Sequence, residues 1–270
     1  MNKENLVEIS KELRQDIIQM INKAGSGHPG GSLSVIDILT YLYFEKMKVD
    51  AKNPKVVDRH RFVLSKGHAA PALYATLAKK GFFDKEELNN LRVLGSILQG
   101  HPDAKKCPGV DISTGSLGQG MSNACGIALG YKMNKSDGRV YVALGDGEIQ
   151  EGIVWEAMMA ANKYKLDNLV AIIDNNKIQL DGRTSEIMPN DNLKERIVNF
   201  GWNVVECNGH DFEELEKAFN NAESTKNKPT CIIANTVKGK GVSFMEDNVA
   251  WHGAAPNSEQ TKQAIEEIIG

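Results

Sequence analysis

Residues 140–152 read VYVALGDGEIQEG, an apolar run that ends on an acid held between two glycines. A short continuous apolar run closed by glycine suits a strand buried on both faces, as in a parallel sheet. Asp146 then falls just beyond the carboxyl end of that strand, where open parallel sheets bind their ligands. A bare carboxylate there would repel a phosphate. A carboxylate holding a cation would not, because a hard divalent ion such as Mg²⁺ takes few protein oxygens and fills its octahedron with water and phosphate. A cation on Asp146 would bridge to a diphosphate, and Gly145 and Gly147 would let the backbone approach closely.

A second stretch has the same form. DNNKIQLDG, residues 174–182, follows the apolar run Leu169–Asp174 and places Asn176 just past its end. One crossover separates the two, so on neighbouring strands Asp146 and Asn176 would face one crevice. Competing phosphate motifs fail on single residues. Gln150 stands where a dinucleotide fingerprint needs its third glycine, and Lys66-Gly67-His68 and Lys240-Gly241-Val242 both miss the P-loop pattern.

Working outward, strands are expected at Arg61–Leu64, Arg139–Leu144, Leu169–Asp174 and Cys231–Thr236, with a shorter candidate at Val204–Cys207. Apolar residues at helical spacing, from Leu6 to Ile21, open the chain with an amphipathic helix ending near Gly25. Further helices are expected at Ser34–Lys46, Pro71–Lys80, Gly120–Met133, Ile153–Tyr164, Leu193–Asn199 and Phe212–Asn220. Strands alternating with helices call for right-handed crossovers, so the expected fold class is α/β, a mostly parallel sheet with helices on both faces. Residues 1–270 show no linker, repeat or low-complexity tract between the first helix and about Asn257, and are read as a single domain.

Composition narrows the partners. Apolar residues are 41%, charged residues 25% and the net charge is -3, so neither nucleic acid nor an anionic membrane is expected as a partner. The amino terminus carries acids among its apolar residues, unlike a signal peptide, and no stretch is long enough to span a bilayer, so a cytoplasmic protein is expected. Cys107, Cys125, Cys207 and Cys231 form no C-x-x-C pair and are read as reduced thiols. The six histidines include no H-x-H or H-x-x-x-H spacing, which argues against zinc.

GDG, about thirty residues and then Asn-Asn is the pattern of a thiamine-diphosphate motif. With it stand SGHPGGSLS (26–34), LSKGHAAPALYA (64–75), GHPD (100–103), TGSLGQG (114–120), TVKGKGVSF (236–244) and WHGAAP (251–256). Together, in order and over nearly the whole chain, these resemble transketolase. The match is to the amino-terminal, diphosphate-binding domain, and the chain most resembles the amino-terminal subunit of a split transketolase.

The resemblance implies thiamine diphosphate as cofactor, with Mg²⁺ (or Ca²⁺ or Mn²⁺) held by the side chains of Asp146 and Asn176 and the backbone carbonyl of Ile178. It implies that Gly147 and Glu148 carry backbone contacts to the diphosphate, and that Gly115, Leu117 and Gly118 form a cofactor-contacting loop, although Ser116 replaces a proline common in the family. His28 and His101 would bind sugar hydroxyls, with His28 assisting proton transfer. His68 would reach the diphosphate side, and His252 both the diphosphate side and the donor hydroxyl. Near-neutral pKa values are expected of these rings. Glu151 would lie at an interface between subunits. His60, ahead of a strand, and His210, at a turn, are read as having no place in the site, and Lys238 and Lys240 as a solvated turn.

The function implied is transfer of a two-carbon ketol unit between sugar phosphates. The acid that activates the cofactor would be on a companion subunit with the pyrimidine-binding domain, in an α2β2 heterotetramer. Another thiamine-dependent enzyme, a deoxyxylulose-phosphate-type synthase or a ketoacid decarboxylase, shares GDG and Asn-Asn but need not have these histidines.

Overall fold

In a computed structural model, which describes residues 2–54 and 56–270, the strands are β1 (Arg61–Leu64), β2 (Val140–Gly145), β3 (Leu169–Asn175), β4 (Ile178–Gln179), β5 (Gly182–Arg183), β6 (Asn203–Asn208) and β7 (Thr230–Asn235). Five of them pair side by side in the order β1-β2-β3-β7-β6, every pairing parallel. The other two, β4 and β5, make a small antiparallel hairpin. The helices are α1 (Lys3–Ala24), α2 (Pro29–Tyr41), α3 (Ala70–Lys80), α4 (Gln119–Met133), α5 (Gly152–Lys163), α6 (Thr184–Ile187), α7 (Leu193–Asn199), α8 (Phe212–Ser224) and α9 (Ser258–Ile269).

Successive strand residues point to opposite faces, and the sheet divides its side chains accordingly. Tyr141, Ala143, Val170 and Ile172 join a core formed with α1, α2, α3, α8 and α9. Val140, Val142, Leu144, Ala171 and Ile173 join a second core under α4, α5 and α7. The central strands are therefore buried on both faces, which is why they read as unbroken apolar runs.

Two helices differ from the sequence reading. Helix α2 begins at Pro29, five residues before Ser34, and is buried along its whole length. A helix with no solvent face has no polar stripe to mark its start; Pro29 marks it, with φ preset and a missing N–H that the first turn does not need. Helix α9 was not expected. Its capping box, Asn257 with Gln260, is legible in the sequence, and it packs on α1. Among the described residues no helix is long and apolar enough to cross a membrane. All four cysteines are free and buried, and burial pushes the Cys107, Cys125 and Cys207 thiols up to about 12, so these are inert apolar residues.

Helices α1 and α2 are joined by charge as well as packing. Arg14 donates from Nη1 and Nη2 to the two Asp37 oxygens at 2.9 and 2.7 Å, both side chains being buried. Burial alone would raise the Asp37 pKa, but Arg14 and a hydrogen bond from His210 outweigh it and hold the carboxyl well below its ordinary range. Asp37→Asn leaves a buried guanidinium without its counter-charge and should cost about 3–5 kcal/mol, read as a lower denaturant midpoint at unchanged slope. The folded pKa lies below the unfolded one, so the carboxylate's contribution is complete above about pH 4 and lost as pH falls further. The variant should therefore lose less stability than the parent between neutral and strongly acidic pH.

Candidate active site

The carboxyl ends of β1, β2 and β3 open into a cavity of about 500 Å³ lined by Lys66, Asp146, Asn176, Lys238 and the histidines His28, His68, His101 and His252. Because β2 and β3 are neighbours, with Gly145 opposite Asp174, Asp146 and Asn176 leave the sheet side by side. Gly115, Leu117, Gly147, Glu148, Glu151 and Ile178 also line the cavity. Gly118 lies behind its wall at the start of α4, with φ 82°, where a Cβ would meet Ile153 at 2.6 Å. His60 and His210 stand outside the cavity.

Asp146 is 2% exposed. Its oxygens accept from the backbone N–H of Gly147 at 2.9 Å and of Lys177 at 2.6 Å, and its carbonyl accepts from Asn190 at 2.7 Å. Lys177 adopts φ 67°, which turns the chain back toward Asp146 and starts the β4–β5 hairpin. Burial, followed by the charge of Asp174, raises the Asp146 pKa to about 6. Asn176 Oδ1 accepts from Ile178 N–H at 3.1 Å, and the Ile178 carbonyl accepts from Lys238 Nζ at 3.0 Å.

Glu148 acts through its side chain. Buried to 3% exposure, the carboxylate accepts from Gly118 N–H at 2.8 Å, from Gly145 N–H at 3.0 Å and from the Ser65 hydroxyl. It thereby ties the 114–120 loop, the end of β1 and the Gly-Asp-Gly turn into one wall. Beneath the floor, Lys66 Nζ donates to Asp174 and to the Gly31 carbonyl, 3.1 Å away. Lys66 was missed in the sequence, yet the rule that singled out Asp146 applies to it, since it lies two residues past β1.

His28, His68 and His252 form a triangle with ring centroids 5.4–5.5 Å apart. The expectation of near-neutral pKa values is corrected here. Burial, then the neighbouring Arg92, His101 and Lys238, lowers His28 to about 4. Burial and Lys238 lower His252 to about 3, and His68 and His101 also move down. At neutral pH these are uncharged rings, each offering one donor and one acceptor. Lys238, expected in a solvated turn, is 2% exposed and reaches His252 Nδ1 at 2.8 Å, which leaves Nε2–H as that ring's donor.

These groups fit a diphosphate with a divalent cation. A buried carboxylate whose ionised form is disfavoured gains from a cation, and carboxylate, amide and carbonyl oxygens suit a hard one. Gly31 keeps the floor open, since a Cβ there would sit 3.4 Å from both Lys66 Nζ and His68 Nε2. His28 Nδ1 is buried without a hydrogen-bond partner in the protein, a polar group that a bound molecule can satisfy.

Fold and site together define a parallel α/β domain that presents cation and anion donors at the carboxyl ends of its strands. A family model, "Transketolase, thiamine diphosphate binding domain", matches residues 3–269, and the chain belongs to that family. One of the two subunits of the apulose-4-phosphate transketolase of Phocaeicola vulgatus is 45% identical over 268 residues, 99% of this chain and 95% of that protein. The 6-deoxy-6-sulfo-D-fructose transketolase subunit SqwG of Clostridium sp. is 44% identical over 256 residues, 95% of this chain and 93% of that protein. Mouse transketolase is 46% identical over 264 residues, but this chain spans only 42% of its length. The crystal structure of transketolase from Campylobacter jejuni superposes with a TM-score of 0.94 at 39% identity, over 99% of this chain and 43% of that one.

Asp146→Ala tests the cation argument. Adding Mg²⁺ with thiamine diphosphate should raise the melting temperature of the parent chain and leave that of the variant unmoved, while circular dichroism shows the same folded sheet in both. An equal shift in the two would remove Asp146 from the cation site.

Proposed function

We propose that this chain is one domain throughout and forms the diphosphate-binding subunit of a two-chain transketolase, which moves a two-carbon ketol unit from a ketose to an aldose. The observation that carries this is the pairing of a complete site floor with the length match: the chain spans nearly all of two transketolase subunits and less than half of single-chain transketolases.

In this reading Asp146, Asn176 and the Ile178 carbonyl hold Mg²⁺ or a similar divalent ion. Backbone N–H groups of Gly147 and Glu148, the 115–118 loop and His68 hold the diphosphate, with Lys66 and Lys238 supplying positive charge beside it. When bound, thiamine diphosphate supplies the electron sink for breaking and remaking a carbon–carbon bond next to a carbonyl. His28, His101 and His252 orient the sugar through its hydroxyls, and as neutral rings they pass a proton from one nitrogen to the other without storing charge. Glu151, exposed at the cavity mouth, meets a second subunit.

The companion subunit carries the pyrimidine-binding domain and the acid that activates the cofactor, in a cytoplasmic α2β2 assembly. The two subunit relatives are named for apulose 4-phosphate and for 6-deoxy-6-sulfo-D-fructose, so the donor is a ketose with an anionic group, and pentose phosphates are the first to try. The anionic end is read by the companion, since the histidines here are uncharged.

Ketol transfer from xylulose 5-phosphate to ribose 5-phosphate, with thiamine diphosphate and Mg²⁺, should be absent for this chain alone and appear once the companion is added. Turnover by the single chain would overturn the two-subunit reading. A stable complex that ignores those sugars but accepts another anionic ketose would keep the reaction and change the substrate. Within an active complex, His101→Ala should lower kcat/KM by about 10–100-fold with cofactor affinity nearly unchanged, and equal loss of both would reassign that histidine to the cofactor.

A further inference from the structure

His210 stands outside the cavity, yet it is tied to the segment that delivers Lys238. Its Nε2 accepts from the Val237 backbone N–H at 2.8 Å, and its Nδ1 lies 2.7 Å from Asp37 Oδ2. A nitrogen that accepts from an amide carries no proton, so His210 is a neutral ring protonated at Nδ1, which donates to the carboxylate. Asp37 in turn is gripped by Arg14 through both its oxygens, and Arg14 Nε donates to the Lys240 carbonyl at 3.1 Å. One buried unit, drawn from α1, α2 and the turn before α8, thus holds the 236–244 segment at two points, one on each side of Lys238.

The segment has little regular structure of its own to hold it. Gly239 and Gly241 have φ of 80° and 95°, and a Cβ at Gly241 would press on Arg14 Cδ at 3.1 Å. Two further backbone bonds flank the lysine, Gly239 N–H to the Gly30 carbonyl at 3.0 Å and Asp247 N–H to the Lys238 carbonyl at 2.9 Å. Those set the height of the loop above α2. Of the bonds at Val237 through Lys240, the two to His210 and Arg14 are made by side chains, and both come from the unit centred on Asp37.

We propose that His210 is a positioning residue for the site: held as its Nδ1–H tautomer by Asp37, it fixes Val237 and so sets where the Lys238 ammonium enters the cavity. Lys238 spans from the Ile178 carbonyl to His252, so a loosened segment moves a cation, a histidine partner and the hairpin after Asn176 together. The consequence for cofactor affinity rests on the reading of the cavity as a thiamine diphosphate site; the tautomer and the clamp do not.

The test compares two substitutions that each keep half of the imidazole. His210→Gln can place an acceptor near Nε2 and retain the Val237 bond; His210→Asn can place a donor near Nδ1 and retain only the Asp37 bond. In the parent full chain, imidazole ¹⁵N spectra should show Nε2 bare and Nδ1 protonated, and hydrogen exchange should show the Val237 amide protected although it lies outside any strand. In His210→Asn that amide should exchange at least about tenfold faster, the loss of one well-made hydrogen bond, with β2 and β3 amides unchanged, and His210→Gln should recover most of the protection. With the companion present, the apparent Kd for thiamine diphosphate should rise about tenfold in His210→Asn and return toward the parent value in His210→Gln.

An Nε2-protonated ring in the parent, or an unprotected Val237 amide, overturns the proposal without any variant. Should His210→Asn unfold, those two measurements and His210→Gln still decide it. Faster exchange throughout the sheet in both variants would show a general stability role and overturn the positioning one. If the clamp behaves as described while thiamine diphosphate binds neither the parent nor the variants, it is the cofactor reading that fails and the positioning of Lys238 that stands.

Discussion

The site is organised around an ion pair that has no contact with bulk water. Lys66, just past β1, and Asp174, near the end of β3, meet beneath the cavity floor, each 1% or less exposed. Removing two charges from water costs several kcal/mol for each ion, and only good geometry with further hydrogen bonds offsets it. Those bonds are present: Asp174 also accepts from the hydroxyls of Ser34, at 2.6 Å, and Thr236, and Lys66 also donates to the Gly31 carbonyl. Each of these partners belongs to a different element, so satisfying one buried pair places α2, the ends of β1 and β3, and the chain leaving β7 relative to one another.

That arrangement explains the electrostatics above it. Lys66 and Lys238 put positive charge at one end of the cavity, and Asp146 and Asp174 put negative charge beneath the Gly-Asp-Gly turn. The histidines between them are pushed toward neutrality by burial and by the nearby cations. A site so built has a place for an anion beside a place for a cation, separated by uncharged groups that hydrogen-bond hydroxyls. Negative charge and a metal are accommodated together, which either alone would not be.

Rigidity comes from acids used as structural ties. Glu148 holds three backbone segments, and Asp37 holds Arg14 and His210, so two carboxylates away from the cation site determine the shape of the cavity wall and of the lysine segment. Charged hydrogen bonds are stronger and more directional than neutral ones. They suit loops such as 114–120 and 236–244, which lack ladders of their own.

Sequence by itself determined the α/β class, four central strands and the placement of Asp146 and Asn176, because each depends on local spacing: an apolar run, its glycine boundary and the residue just beyond. The same logic would have found Lys66 past β1 and the capping box of α9. The start of α2 was less legible, since a fully buried helix shows no amphipathic period. Only the tertiary structure decided which distant groups meet. Lys66 and Asp174 are 108 residues apart, and Asp37 and His210 are 173 apart. It also decided the protonation of the histidines and the role of Lys238, read from sequence as a solvated turn. A pKa depends on burial and on every charge within a few ångströms, and those neighbours are brought together by the fold and not by the order of residues along the chain.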